Sequence, residues 1–133
     1  MIVDTSAWVE YLRDTGSSVH LALRRLVEDG ADVLVPELVV MELLVGAADE
    51  RGARDLRRLL HSFEVVPLAP IVDTEHAARL QGLCRRAGQP IRNMVDCMIA
   101  AIALRLAEPV LHRDRDFEVL AAHTGLQVVA GIE

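Results

Sequence analysis

Four carboxylates occupy places where a protein that needs acids only for solubility would rarely put them; they are Asp4, Glu42, Asp96 and Asp114. Asp4 follows an apolar run that begins at the first residue, and Asp114 closes the run 109–113. Glu42 and Asp96 each interrupt a long apolar segment. Burying an ionised carboxylate without a partner is very costly, so several together indicate cations that gather them. The pattern therefore predicts a site for a hard metal ion, and with it chemistry on phosphates.

Each of these acids also has a structural alternative to weigh. Asp4 could cap a helix that starts near Ala7, because an aspartate at the end of a strand often does so. Asp96 could pair with Arg92, one helical turn earlier. Glu42 has no partner of this kind, since its helical neighbours at 38, 39, 45 and 46 are Leu, Val, Val and Gly. The joint pattern is therefore stronger than any single member.

The acids near the end of the chain raise the same question. Asp114 could belong to a turn, but a functional role is favoured. Asp116 is predicted to cap the last helix, with an outer role at the metal as the second explanation. Carboxylate oxygens without histidine or thiolate partners suit Mg²⁺ or Mn²⁺ better than Zn²⁺. We therefore expect magnesium or manganese.

The composition is that of a single well-packed domain spanning residues 1–133, with 52% hydrophobic and 26% charged residues. No apolar run approaches the roughly 20 residues of a membrane helix, and the first residues lack a signal-peptide pattern, so a cytoplasmic protein is expected. Cys84 and Cys97 fall in helical patterns and are expected to be reduced core residues. The net charge of -6 neither supports nor excludes an RNA partner, because the acids named above supply much of it and all 14 basic residues are arginine.

Apolar runs typical of strands alternate with helical periods along the whole chain. Strands are predicted at Ile2–Asp4, Val33–Val35, Glu64–Leu68, Pro109–His112 and Gln127–Val129. Helices are predicted at Ala7–Leu12, Val19–Val27, Glu37–Leu44, Arg51–Phe63, Asp73–Ala87, Asn93–Leu106 and Phe117–His123. This alternation indicates an α/β fold, with a parallel sheet covered by helices on both faces and a ligand site beyond the carboxyl ends of the strands. Trp8, Tyr11 and Leu12 share a helical spacing and are expected to pack on the sheet.

Four short motifs together resemble one known family. They are Ile2-Val3-Asp4-Thr5-Ser6-Ala7-Trp8, the lone Glu42, Val95-Asp96-Cys97-Met98-Ile99-Ala100-Ala101 and Arg113-Asp114-Arg115-Asp116-Phe117. In this order they look like the PIN-domain nucleases, and specifically like the VapC-type toxins of bacterial toxin–antitoxin pairs. The resemblance covers essentially the whole chain.

The resemblance implies a three-layer α/β/α fold with a central parallel sheet in the order 3-2-1-4-5. It implies that Asp4, Glu42, Asp96 and Asp114 are catalytic and bind Mg²⁺ or Mn²⁺, with Asp116 as a fifth metal ligand. The implied activity is hydrolysis of RNA, transfer or ribosomal, to a 5′-phosphate and a 3′-hydroxyl. The implied partner is a cognate antitoxin protein. His112 departs from the small hydroxyl residue frequent in relatives and receives no catalytic role, and the hydroxyls at positions 5 and 6 are given little weight.

Two other classes of protein share parts of this pattern. The first is a phosphoryl-transfer or signalling domain on a similar sheet. The families that such domains resemble use a lysine near the phosphoryl group, and this chain has no lysine. It also lacks the glycine-rich loops that cradle nucleotides. A non-catalytic binding module with an acidic pocket is compatible with the sequence, and metal-dependent RNA cleavage would separate it from an enzyme.

Two surface predictions complete the sequence reading. Three arginines share one helical face and are expected to be solvated and paired with acids rather than to bind RNA. These arginines are Arg51, Arg54 and Arg58, and the expected partners are Glu50 and Asp55. Apolar helix positions exceed what one small sheet must cover, which together with the resemblance predicts a homodimer. These positions include Val39, Leu43, Leu44 and Val45.

Overall fold

The computed structural model describes residues 1–130 and has five short strands. They are β1 (Ile2–Val3), β2 (Leu34–Pro36), β3 (Glu64–Val66), β4 (Val110–His112) and β5 (Val128–Ala130). All neighbouring strands are parallel, and the sheet order is β3-β2-β1-β4-β5. This confirms the predicted fold class and strand order. Residues 131–133 of the predicted domain lie outside the described residues.

Seven helices connect these strands within the described residues. They are α1 (Thr5–Leu12), α2 (Ser18–Glu28), α3 (Glu37–Val45), α4 (Glu50–Leu60), α5 (Val72–Arg86), α6 (Met94–Leu106) and α7 (Arg115–His123). Helices α1 to α4 pack among themselves, and so do α5 to α7. The sheet order explains the grouping, because the chain moves outward from β1 to β3 and then crosses back to β4. Right-handed crossovers in opposite directions place their helices on opposite faces of the sheet.

The core surrounds the central strand β1. Ile2 and Val3 are fully buried, as strands covered on both faces must be. Trp8 in the first turn of α1 and Phe117 in the first turn of α7 are also fully buried. Two strand ends at the middle of the sheet are therefore held rigidly, with the Asp4 N–H donating to the carbonyl of Leu111 at 3.0 Å.

Several element boundaries and contacts differ from those predicted. Helix α1 begins at Thr5 rather than Ala7, and α4 ends at Leu60 rather than Phe63. Leu12, predicted to pack on the sheet, is 42% exposed because it lies in the last turn of α1. Of the other two residues predicted to pack on the sheet, Trp8 is fully buried and Tyr11 is half-buried.

The arginines of α4 do not form the ion pairs predicted for them. Among the described residues, no ion pair joins Arg51, Arg54 or Arg58 to a carboxylate. Glu50 and Asp55 point to solvent like the arginines themselves. Long exposed side chains gain little from such pairs, which is the physical reason that spacing alone predicted them wrongly.

The apolar positions that suggested a dimer divide into two groups. Val39 and Leu43 are buried within the chain, so they carry no weight for a second copy. Val45 and Met41 are 81% and 48% exposed. Cys84 and Cys97 are free and buried, as predicted. None of the described helices has the length and apolar content needed to cross a membrane.

Candidate active site

Asp4 and Asp114 lie at the carboxyl ends of the two middle strands. Each is the N-cap of the helix that follows, α1 for Asp4 and α7 for Asp114. Asp4 Oδ2 accepts hydrogen bonds from the Ser6 N–H at 3.0 Å and from the Ser6 hydroxyl at 2.6 Å. Asp114 Oδ1 accepts from the Asp116 N–H at 2.9 Å. Asp4 therefore caps α1, as its structural alternative predicted, and its role in a metal site stays a prediction.

Three carboxylates from two helix starts and one strand end form a tight cluster. Asp96 is in the first turn of α6, and Asp116 is in the first turn of α7. One oxygen each from Asp96, Asp114 and Asp116 lies within 4.8 Å of the others. Two oxygens on one Mg²⁺ ion, each at about 2.1 Å, are at most about 4.2 Å apart, so small side-chain shifts would let the three oxygens share a single cation.

Glu42 joins this edge from the middle of α3. The Thr5 hydroxyl donates a 2.7 Å hydrogen bond to Glu42 Oε1, so a residue of α1 orients an acid of α3. The negative charge of Glu42 also raises the pKa of both Asp4 and Asp96. Glu42 is thus close to the other acids, although the direct cluster contains three of the five.

Burial and mutual repulsion disfavour full ionisation of the carboxylates in this site. Burial raises the pKa of Asp4 to about 6, against the lowering effect of its bonds to Ser6. Burial, followed by the charges of Asp4 and Asp114, raises the pKa of Asp96 to about 8. Asp4 Oδ1 is buried and has no hydrogen-bond partner among the described residues. An unpartnered buried carboxylate oxygen beside a repelling acid cluster fits a bound hard cation.

The five predicted site residues therefore lie at one edge of the sheet, but two structural alternatives were wrong. Arg92 does not pair with Asp96, because it lies outside α6, which begins at Met94; instead its N–H donates to Asp116 Oδ2 at 3.4 Å. Asp116 does not cap the last helix, because Asp114 does. The Asp116 carboxylate consequently does not cap α7 and lies in the cluster.

Two residues that support the acids were given little weight in the sequence analysis. Thr5 and Ser6 hold Glu42 and Asp4, and the Ser6 hydroxyl also accepts a 2.8 Å bond from the Arg113 N–H. The sequence signal was the pair of hydroxyls directly after Asp4, which helix starts also carry for other reasons. The hydrogen bond between Thr5 and Glu42 joins residues far apart in the sequence, so local spacing does not reveal it.

His112, at the end of β4, is fully buried directly beneath the cluster. Its Nδ1 accepts a 3.0 Å hydrogen bond from the Asp114 N–H, and its ring packs 5.3 Å from that of Phe117. Burial is the main cause that lowers the pKa of His112, so the neutral ring is favoured. The side chain thus supports the backbone of Asp114 and does not point a charge at the site.

Comparison with known proteins adds independent findings. The family model described as PIN domain matches residues 1–123. Ribonuclease VapC11 of Mycobacterium tuberculosis is 40% identical over 131 residues, covering 98% of each chain. Ribonuclease VapC51 of the same organism is 32% identical over 123 residues, covering 88% of this chain and 89% of the relative.

Solved structures show the same fold. VapBC2 from Rickettsia felis, bound to a DNA fragment from its promoter, has a TM-score of 0.76 at 18% identity and covers 97% of this chain and 96% of that one. The sarcin-ricin loop cleaving toxin VapC20 of Mycobacterium tuberculosis has a TM-score of 0.64 at 25% identity, covering 92% and 95%.

Proposed function

We propose that this chain, which belongs to the PIN-domain family and within it to the VapC ribonucleases, cuts RNA with its five-carboxylate site and requires Mg²⁺ or Mn²⁺ to do so. The observation that carries the metal requirement is the convergence of Asp96, Asp114 and Asp116 oxygens within 4.8 Å, beside the unpartnered Oδ1 of Asp4. No lysine, histidine or arginine side chain neutralises these acids among the described residues. A divalent cation is the counter-charge that suits them.

The five acids divide the work of holding that cation. Asp96, Asp114 and Asp116 would form the ligand cluster, with Asp4 and Glu42 adding carboxylate oxygens toward the same cation. When bound, the metal ion would acidify water, orient the phosphate and neutralise charge in an in-line displacement. We expect products with a 5′-phosphate and a 3′-hydroxyl.

The chain's own hydrogen bonds keep the acids in position without the substrate. Thr5 fixes one oxygen of Glu42, and Ser6 fixes one oxygen of Asp4 while holding the Arg113 backbone. The raised pKa values of Asp4 and Asp96 mean that a cation must displace protons when it binds. Metal affinity should therefore rise steeply between about pH 6 and pH 8.

The same family membership supports the expected biology. We infer that a cognate antitoxin protein neutralises the chain, that the substrate is a transfer or ribosomal RNA, and that the protein acts in the cytoplasm as one domain. The relative VapC20 is named for cleaving the sarcin-ricin loop, and a solved structure of similar fold from Klebsiella pneumoniae is described as a toxin–antitoxin complex. Exposed Met41 and Val45 on α3 offer apolar surface for a homodimer. Light scattering at micromolar concentration tests that dimer, and a monomer alone would contradict it.

Cleavage of purified transfer and ribosomal RNA by antitoxin-free protein tests the activity itself. We expect cleavage with Mg²⁺ or Mn²⁺ and none with EDTA. Asp4→Asn, Glu42→Gln and Asp114→Asn should each lower the rate by about 100-fold or more, because metal and in-line geometry depend on all of them. Asp29→Asn, an exposed acid in α2's C-cap, is the matched control and should cut like wild type. Equal cleavage with EDTA would contradict the metal requirement.

A further inference from the structure

Four basic side chains lie on the exposed face of α4 and directly beyond its end, and we call them the α4 basic surface. They are Arg54, Arg57, Arg58 and His61. Together with Ser62 they line an open depression of about 440 Å³. Arginine offers only donors, and histidine and serine can donate as well. The lining thus contains hydrogen-bond donors and no carboxylate.

These arginines have no counter-charge of their own. Within residues 1–130, no ion pair joins Arg54, Arg57 or Arg58 to an acid. Three arginines elsewhere in the described residues do pair with an acid: Arg24 with Glu28, Arg105 with Asp73 and Arg113 with Glu10. Spacings of three and four residues bring the α4 arginines onto adjacent positions of the helix, where like charges repel. An external anion would relieve that repulsion.

Helix stabilisation explains only part of this arrangement. Arg57 and Arg58 lie in the last turn of α4, where cations interact favourably with the helix dipole. Arg54 lies too early in the helix for that benefit. The chain as a whole carries a net charge of -6, so a depression lined by three arginines and no carboxylate departs from its average surface.

The α4 basic surface is far from the acids. Helix α4 leads through residues 61–63 into the amino end of β3, the edge strand, whereas the acids lie at the carboxyl ends of β1 and β4. Three residues of strand span about 10 Å, and two strand spacings add about 10 Å sideways, so the end of α4, next to His61, is about 14 Å from the acids. This end of the basic surface is therefore separate from the acid cluster.

We propose that the α4 basic surface binds the sugar–phosphate backbone of the substrate RNA at a point remote from the cut. The inference rests on the proposed function and adds a second contact region to it. Phosphate is an acceptor-only anion that arginine forks bind in bidentate fashion. The lining that the described residues provide contains no Phe, Tyr or Trp, so we expect it to bind the backbone rather than to read bases, and to favour a folded RNA that spans both regions.

RNA binding by full-length protein in an Asp96→Asn background tests this, because binding is then measured without cleavage. The test variant carries Arg54→Gln, Arg57→Gln and Arg58→Gln. The control carries Arg79→Gln, Arg85→Gln and Arg86→Gln, which remove the same charge from exposed positions of α5. Fluorescence anisotropy with labelled transfer RNA and labelled ribosomal RNA fragments over a salt series gives the affinity and its salt dependence. Thermal melting confirms that each variant is folded.

We expect the α4 variant to weaken binding of at least one of these RNAs about tenfold or more, and to reduce the slope of log affinity against log salt by about 2. The α5 control should change affinity by less than about threefold. Equal losses in both variants, unchanged binding in the α4 variant, or no RNA binding by the parent would overturn the proposal. Retained RNA binding with lost binding of the purified antitoxin would reassign the surface to a protein partner.

Cleavage assays separate this proposal from the proposed function. If wild type cuts RNA, and the three α4 substitutions weaken neither binding in the Asp96→Asn background nor cleavage in the wild-type background, only the remote contact fails. If wild type does not cut but RNA binding depends on α4, the proposed activity fails and the binding surface stands.

Discussion

Removing the charge of Asp96 should stabilise the metal-free protein, and increasingly so as the pH rises. Asp96 is 5% exposed as a residue, and its carboxyl accepts no hydrogen bond from the described residues, so no protein group compensates its ionisation. Burial and then the charges of its neighbours raise its pKa to about 8; the neighbours are Asp4, Asp114, Asp116 and Glu42. Asn has the same shape without the charge, and its amide can donate to those carboxylates.

The sign of the effect follows from linkage. The folded pKa lies above the ordinary value, so the folded state binds the proton more tightly than the unfolded state does. The contribution of Asp96 to wild-type stability is therefore fully present below about pH 4 and is lost as the pH rises toward about 8. The difference between 3.8 and about 8 corresponds to roughly 6 kcal/mol for a single isolated carboxyl. Because neighbouring acids share protons, we expect about 2–4 kcal/mol at pH 8 and under about 1 kcal/mol at pH 5.

Urea unfolding of both proteins in EDTA, at pH 5 and at pH 8, measures this difference directly. Asp29→Asn removes the same charge from an exposed position and controls for net charge. Adding Mg²⁺ or Mn²⁺ at pH 8 should then raise the melting temperature of wild type more than that of Asp96→Asn, because the variant has lost a ligand.

Three results would contradict this prediction. If Asp96→Asn were no more stable than wild type at pH 8, the acids would not be repelling one another in the folded state. If the variant were destabilised yet responded fully to metal, Asp96 would be a structural residue outside the site. An equal gain in Asp29→Asn would trace the effect to net charge alone.

The positions of the strand-end acids could be predicted because parallel strands buried on both faces leave a clear trace in sequence. Such strands are short apolar runs, and a carboxylate directly after one must lie at the ligand-binding edge of the sheet. Asp4 and Asp114 were located in this way. The strand order itself came from family resemblance, since apolar runs do not show which strands are neighbours.

Features that depend on exact helix starts could not be predicted. The pair Arg92–Asp96 has the spacing of one helical turn, but α6 begins at Met94, so that spacing has no helical geometry. Asp114 and Asp116 are equally good capping residues, and the length of β4 decides between them. A shift of two residues thus makes Asp114 rather than Asp116 the cap and leaves the Asp116 carboxylate in the acid cluster.

Helix α3 shows the same limit for burial. Its sequence is apolar on nearly every side, so periodicity does not indicate which side faces the sheet. Tertiary packing buries Val39 and Leu43 and leaves Val45 exposed. The 37-residue separation between Thr5 and Glu42 likewise hides their hydrogen bond from any local pattern.

Two further substitutions test how hydrogen bonds support this framework. Thr5→Val keeps the shape but removes the hydroxyl that holds Glu42, so we expect cleavage to slow about tenfold with stability changed by about 1 kcal/mol or less; an unchanged rate would mean that Glu42 is positioned otherwise. Asp73→Asn tests a fully buried carboxylate whose burial opposes ionisation, but whose pKa is lowered overall by two bonds from Arg105 and one from the Ala69 N–H. Its stabilising effect is present above about pH 4 and is lost on acidification. Because Arg105 is about one-third exposed, we expect a loss of about 2–3 kcal/mol in urea unfolding at pH 7, less than for a fully buried pair. A loss below about 1 kcal/mol would show that solvent replaces the arginine's partner at little cost.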